Sequence, residues 1–281
     1  MLSMLFGLAT ACCWGMGDFI GGSNSRRVGA YGMTLGTIGC GLLLLLLVSL
    51  GFDGNHLPLS GWLFCLLAGA FDAVGILLLY LSLTQGRMSL AAPVSALTAA
   101  ALPVFFSILT LGLPEVTVMI GLLLGLAAIW MISREQENAP EKPLRFNDLY
   151  LPLLSGSCLG IFLILMHAGS HHALLWPMIA VRTGGVTALL LILLTRLKHQ
   201  MLPTASLPWK IIVVNALLDV GGNGFYILAS QAGRLDVAAV LSALYPAVTV
   251  FMAWLLLKEK VSRLQFTGIL SALGAIALLA L

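Results

Sequence analysis

Apolar runs of about 20 residues, the length that crosses a bilayer as a helix, recur ten times along this chain, separated by short polar or Gly/Pro clusters. They cover 2–22, 30–51, 60–84, 88–112, 116–133, 148–168, 173–195, 208–231, 235–257 and 262–281. In hydrocarbon such a run must satisfy its own backbone hydrogen bonds, so the predicted class is an all-α integral membrane protein with ten transmembrane helices. Only 9% of the residues are charged and 60% are hydrophobic, against about 25% charged in a soluble domain. The net charge of +3 is small and scattered, which speaks against nucleic acid as a partner and leaves the lipid bilayer. No basic stretch precedes Asp18, and the first run is long enough to span, so it reads as a helix and not as a cleaved signal.

The runs contain a duplication. Asp72 to Pro103 and Asp219 to Val250 align without a gap at a shift of 147, with 11 of 32 positions identical. The matches include Asp72/Asp219, Gly75/Gly222, the pair Gly86-Arg87 with Gly233-Arg234, and Ser95-Ala-Leu with Ser242-Ala-Leu. Arg134 to Asp148 is the one long polar segment, and it falls at the centre of the chain. The expected organisation is a first five-helix repeat over 1–133, a linker over 134–147 and a second repeat over 148–281. An odd number of spans per half makes the two repeats inverted around a central cavity.

Orientation follows from charge. The loops after the first, third, fifth, seventh and ninth spans, with the adjoining helix ends, hold 12 of the 14 basic residues. The positive-inside rule places these odd loops in the cytoplasm and both termini outside.

Ionisable groups inside spans cost roughly 2.5–3.5 kcal/mol each at a helix centre on insertion scales. Four stand out: Asp18, Asp72, Arg182 and Asp219. Asp72 and Asp219 are related by the duplication and sit near the middle of the third and eighth spans. The eighth span also carries a polar stripe, Asn215, Asp219, Asn223, Tyr226 and Ser230, which faces either a cavity or a neighbouring helix. Gly221, Gly222 and Gly224 beside it favour close helix contact; the number of polar groups favours a cavity. Ser242 and Tyr245 in the ninth span, Ser95 and Thr98 in the fourth and Tyr80 in the third complete the pathway candidates. Pro246 and Pro103 free carbonyls inside spans, where either a kink or a cavity-facing carbonyl fits. In the first span Trp14 and Asp18 share one helix face. Arg182, the only cation in the interior of a span and away from the helix ends, pairs with one of the aspartates, as a structural pair or as an anion site.

The five cysteines lie in apolar runs and read as packing residues. His167, His171 and His172 have ligand-like spacing but no acidic or thiol neighbour, so an interfacial loop suffices and no metal is expected. There is no GxxxxGK[ST] loop, so no nucleotide and no cofactor is expected.

These residues resemble a family. WGMGDFIGGSNSRRVG at 14–29, the segment 238–269 with Ser242-Ala-Leu-Tyr245-Pro246, Lys258-Glu259-Lys260, Gln265 and Gly268, and the five-plus-five duplication are similar to the EamA-like family of the drug/metabolite transporter superfamily. The first half is a weaker copy, with Ala99 where the second has Pro246 and Pro114-Glu115 where it has Lys258-Glu259. The resemblance implies ten helices, a central cavity bordered by the first span, and movement of a small organic metabolite by alternating access. It further implies export across a bacterial inner membrane. Proton coupling and facilitated diffusion both fit. Two other classes compete: an intramembrane enzyme using Asp72 and Asp219 as a pair, and a non-transporting scaffold. The inverted repeats and the missing nucleophile–base motif disfavour the enzyme, and the polar stripe is unexplained by a scaffold.

Overall fold

A computed structural model describes residues 1–51, 57–85, 88–133, 146–170, 173–196, 208–258 and 262–280. Gly86, Arg87, His171, His172, Glu259, Lys260 and most of the linker lie outside the described residues. So does the side chain of Tyr80, whose backbone is helical.

The described chain is a succession of α-helices: α1 (Leu2–Val28), α2 (Ala30–Ser49), α3 (Leu59–Gln85), α4 (Met88–Leu111), α5 (Val116–Ser133), α6 (Phe146–Ser170), α7 (Leu175–Arg196), α8 (Trp209–Gln231), α9 (Leu235–Ser242), α10 (Tyr245–Leu257) and α11 (Arg263–Ala280). Eight segments are long and apolar enough to cross a membrane, with Leu235–Leu256 counting as one of them, and Val116–Ile132 and Arg263–Leu279 are shorter apolar helices. Together they make ten helical spans. The exposed face is a belt of large apolar residues such as Leu43, Leu47, Leu63, Phe105, Leu109, Leu123, Leu217 and Leu270. In water that surface would be unstable; against lipid tails it carries no such cost.

One predicted span is broken. The run 235–257 forms two helices, α9 and α10, with Ala243 and Leu244 between them. The cause is Pro246. It has no N–H to give to the Ser242 carbonyl, and its ring crowds that carbonyl, so the first helix ends there and the second restarts with proline in its opening turn. The junction tightens to short-range bonds, Leu244 N–H to the Leu241 carbonyl and Ala247 N–H to the Leu244 carbonyl. Pro103 has no such effect, because α4 runs unbroken through it to Leu111.

The helices pair in a pattern that maps onto itself under the 147-residue shift. α1 packs on α8 and on α9 and α10, and α6 packs on α3 and α4 in the equivalent way. α5 and α11, the last helix of each half, pack on one another. Gly268 of α11 lies against Met131 and Ile132 of α5, where a Cβ would come within 2.8 Å of their side chains. At the start of α11, Ser262 N–H donates to Gln265 Oε1 at 2.9 Å and Gln265 N–H donates to Ser262 Oγ at 3.1 Å, a reciprocal capping box. Gln265 and Gly268, two positions of the sequence signature, therefore have structural work here.

The third repeat-related pairing is unequal. α3 and α7 are in extensive contact, whereas α2 and α8, their counterparts, touch more sparsely. At the α3–α7 crossing a Cβ on Gly69 would overlap the Val181 carbonyl, and one on Gly184 would overlap the Leu66 carbonyl. Only glycine permits backbones that close.

Candidate functional site

A cavity of about 50 Å³ lies between α1, α2, α3 and α8. It is lined by Trp14, Gly17 and Asp18 of α1, Met33, Thr34, Thr37 and Ile38 of α2, Ile76 of α3, and Asn215 and Asp219 of α8. These positions fall in the later parts of α1 and α3 and the earlier parts of α2 and α8. The cavity therefore sits toward the odd, basic loops. The glycine crossing at Gly69 and Gly184 involves the early halves of α3 and α7, toward the opposite side.

Each ionisable candidate has a distinct environment. Asp219 meets Arg182 in an ion pair, Nη1 to Oδ2, at 2.6 Å. The Arg182 side chain is 1% exposed and that of Asp219 is 20% exposed, so the pair presents its acidic half to the cavity. Asp18 is reachable by solvent through the cavity although helices surround it. Among the described residues it makes no hydrogen bond or ion pair. Asp72 is buried, outside the cavity lining, and likewise without a bonded partner among the described residues. It lies within the electrostatic reach of Arg182, Asp219 and Asp18. Asp219 and Asp72 thus share one buried guanidinium.

The polar stripe of α8 divides in two. Its first part faces the cavity: Asn215 Nδ2 donates to Thr37 Oγ1 at 3.1 Å, and Asn215 Oδ1 has no partner among the described residues. Its second part is packed. Trp14 Nε1 donates to Asn223 Oδ1 at 3.1 Å, the Tyr226 hydroxyl donates to the Leu163 carbonyl at 3.1 Å, and Ser230 Oγ donates to the Ile227 carbonyl at 3.0 Å. Trp14 stacks on Tyr226 with ring centroids 5.9 Å apart and lies over Gly222, where a Cβ would overlap the indole. The indole forms one wall of the cavity, held by α8.

Ser95 and Thr98 lie away from the cavity. Ser95 Oγ pairs with Ser155 Oγ at 3.0 Å, and Ser155 Oγ donates to the Gly75 carbonyl at 2.8 Å, tying α4, α6 and α3 together. Thr98 Oγ1 donates to the Val94 carbonyl of its own helix at 2.7 Å. Ser242 is buried at the α9–α10 break with its hydroxyl unpaired. Tyr245 opens α10, within electrostatic reach of Asp18, and α10 is fastened to α1 by Thr249 Oγ1, which donates to the Gly15 carbonyl at 3.0 Å. The five cysteines are free thiols. Among the described residues no group of His, Cys, Asp or Glu could hold a metal ion.

Sequence reasoning missed several participants. Thr34 and Thr37 line the cavity from α2, a helix that offered no charge to attract notice; their spacing of three on an apolar helix was the available signal. Asp236 also lies within a span, fully buried, and it pairs with Arg234 at 2.8 Å and accepts the Val237 N–H at 2.8 Å at the start of α9. It anchors that helix N-terminus.

The fold and the cavity point to a solute-handling membrane protein, and comparison with known proteins agrees. The profile of the EamA-like transporter family matches residues 1–134 and again 148–281. The chain belongs to the EamA-like transporter family. One solved structure, described only as the crystal structure of a protein, is similar with a TM-score of 0.80 over 98% of this chain and 95% of that chain. At 14% identity that likeness shows the fold. No curated protein matches the chain.

Proposed function

We propose that this protein carries a small organic solute across a bacterial inner membrane by alternating access, in the export direction, with the cavity between α1, α2, α3 and α8 as the solute path. The observation that carries the reading is the unequal packing of two repeat-related helix pairs. In an inverted-repeat carrier, one pairing is closed while its counterpart is open, and exchanging the two conformations moves the opening to the other side. Here α3 and α7 meet backbone to backbone, while α2 and α8 flank a cavity that contains two carboxylates. With the odd loops in the cytoplasm, this is the state that loads from inside.

The direction rests on the family resemblance. Coupling to protons rests on Asp219, a carboxylate that the cavity reaches and that a buried guanidinium holds. Protons are then a second partner beside the solute and the bilayer.

Solute counterflow into liposomes containing only this protein tests the reading. A panel of labelled amines, sugars and carboxylic acids should include at least one that accumulates transiently against unlabelled internal solute. A panel with no protein-dependent flux, from protein shown to be folded, would overturn it.

A further inference from the structure

The charged atoms of the cavity lining are carboxylate oxygens, those of Asp18 and Asp219. The Trp14 indole N–H is spent on Asn223. The Thr34 hydroxyl is spent on the Ala30 carbonyl at 2.9 Å, and one of the two Asn215 amide N–H groups on Thr37, which leaves the second Asn215 N–H and the Thr37 hydroxyl as neutral donors. The lone pairs of Asp18 remain, with those of the exposed side of Asp219 and those of Asn215 Oδ1. The last is informative because it is buried. Asn215 is 7% exposed, its Oδ1 has no hydrogen-bond partner among the described residues, and that atom lies 3.3 Å from the point where a Cβ on Gly17 would stand. It is held over a glycine that lines the cavity. A buried amide oxygen left without a donor is costly, about 1–3 kcal/mol, unless a ligand supplies one.

Charge decides the sign of that ligand. Arg182 neutralises Asp219, and Asp18 is left uncompensated in the cavity. An anionic head would meet two carboxylates and an acceptor oxygen, with only neutral donors, the second Asn215 N–H and the Thr37 hydroxyl, to receive it. A cationic head with several N–H groups would satisfy all three acceptors. The volume limits size: about 50 Å³ is a few waters at roughly 10–15 Å³ each, which fits a head group and not a bulky solute.

We propose that the cavity is a binding site for the protonated primary amine of the solute, with Asp18 as counter-ion and Asn215 Oδ1 and Asp219 as the other acceptors of its N–H groups. The proposal rests on the reading of this cavity as the solute path and names the class of solute.

Isothermal titration of the detergent-purified full chain with n-butylammonium, butyltrimethylammonium and butyrate tests it. The primary amine should bind about tenfold or more tightly than its trimethylated analogue, which keeps the charge but lacks N–H donors, and butyrate should not compete. Asp18→Asn should weaken n-butylammonium binding about ten- to a hundredfold, the loss of a charged hydrogen bond. Equal affinity for the trimethylated cation, preferential binding of butyrate, or an unchanged affinity in folded Asp18→Asn would overturn the site. The ligand series needs no variant, so it decides even if Asp18→Asn does not fold. Transport is scored apart: counterflow of a sugar or an acid without any amine would sink the amine site and leave the carrier standing, while amine binding without flux of any solute would do the reverse.

Discussion

Arg182 of α7 and Asp219 of α8 meet at 2.6 Å, with the guanidinium sealed from solvent and the carboxylate open to the cavity. Removing one member of a buried pair strands the other, at a cost of about 3–5 kcal/mol. Arg182→Leu should therefore lower the thermal unfolding temperature of the purified protein clearly. Asp219→Leu on that background should recover much of the loss, because no isolated charge remains. A double variant as unstable as the sum of the two singles would mean that the pair is not coupled.

Asp219→Asn separates charge from shape at the same position. If Asp219 carries the coupled proton, this variant should lose accumulation driven by a pH gradient yet keep solute exchange in liposomes. Unchanged accumulation in the folded variant would remove Asp219 from the coupling.

At the α3–α7 crossing, Gly69→Ala puts a methyl group where the Val181 carbonyl lies. Overpacking of this kind costs about 1–3 kcal/mol, here borne by the closed side. The variant should be less stable, and a cysteine placed at Leu66 should become more reactive to thiol reagents than in the parent protein. Equal reactivity would show that this crossing does not keep the side shut.

Ten spans were legible because apolar length is written in the chain, and the helix pairings that repeat under the gapless 147-residue shift follow the duplication seen there. The break inside the ninth span was legible as Pro246 but not as two helices, since Pro103 lies equally deep in α4 and leaves it whole. The cavity was half legible. Asp18, Trp14, Asn215 and Asp219 showed themselves by polarity within apolar runs, whereas Thr34 and Thr37 are small hydroxyl residues whose importance depends on facing α8. Which polar residues open on the cavity and which pack was hidden for a plain reason. Asn223, Tyr226 and Ser230 share a helix face with Asn215 and Asp219, and it is the position of Trp14 and α6 that covers Asn223 and Tyr226.

Topology follows from the charge asymmetry and can be measured directly. Because the five cysteines are free thiols, a cysteine-free background breaks no disulfide. Asn138→Cys in that background should resist a membrane-impermeant thiol reagent in intact cells and react after permeabilisation. Full labelling in intact cells would turn the molecule over in the membrane and make the present cavity outward-facing.

On the proposed reading, solute passes through the cavity between α1, α2, α3 and α8. Thr37→Cys, in the same background, places a thiol on the cavity wall opposite Asn215. In liposomes containing only this protein, counterflow should proceed in the unmodified variant and stop when a bulky methanethiosulfonate reagent occupies the thiol, with solute present during labelling slowing the reaction. Counterflow that continues undiminished after complete modification of Thr37→Cys would place the path elsewhere and contradict the account.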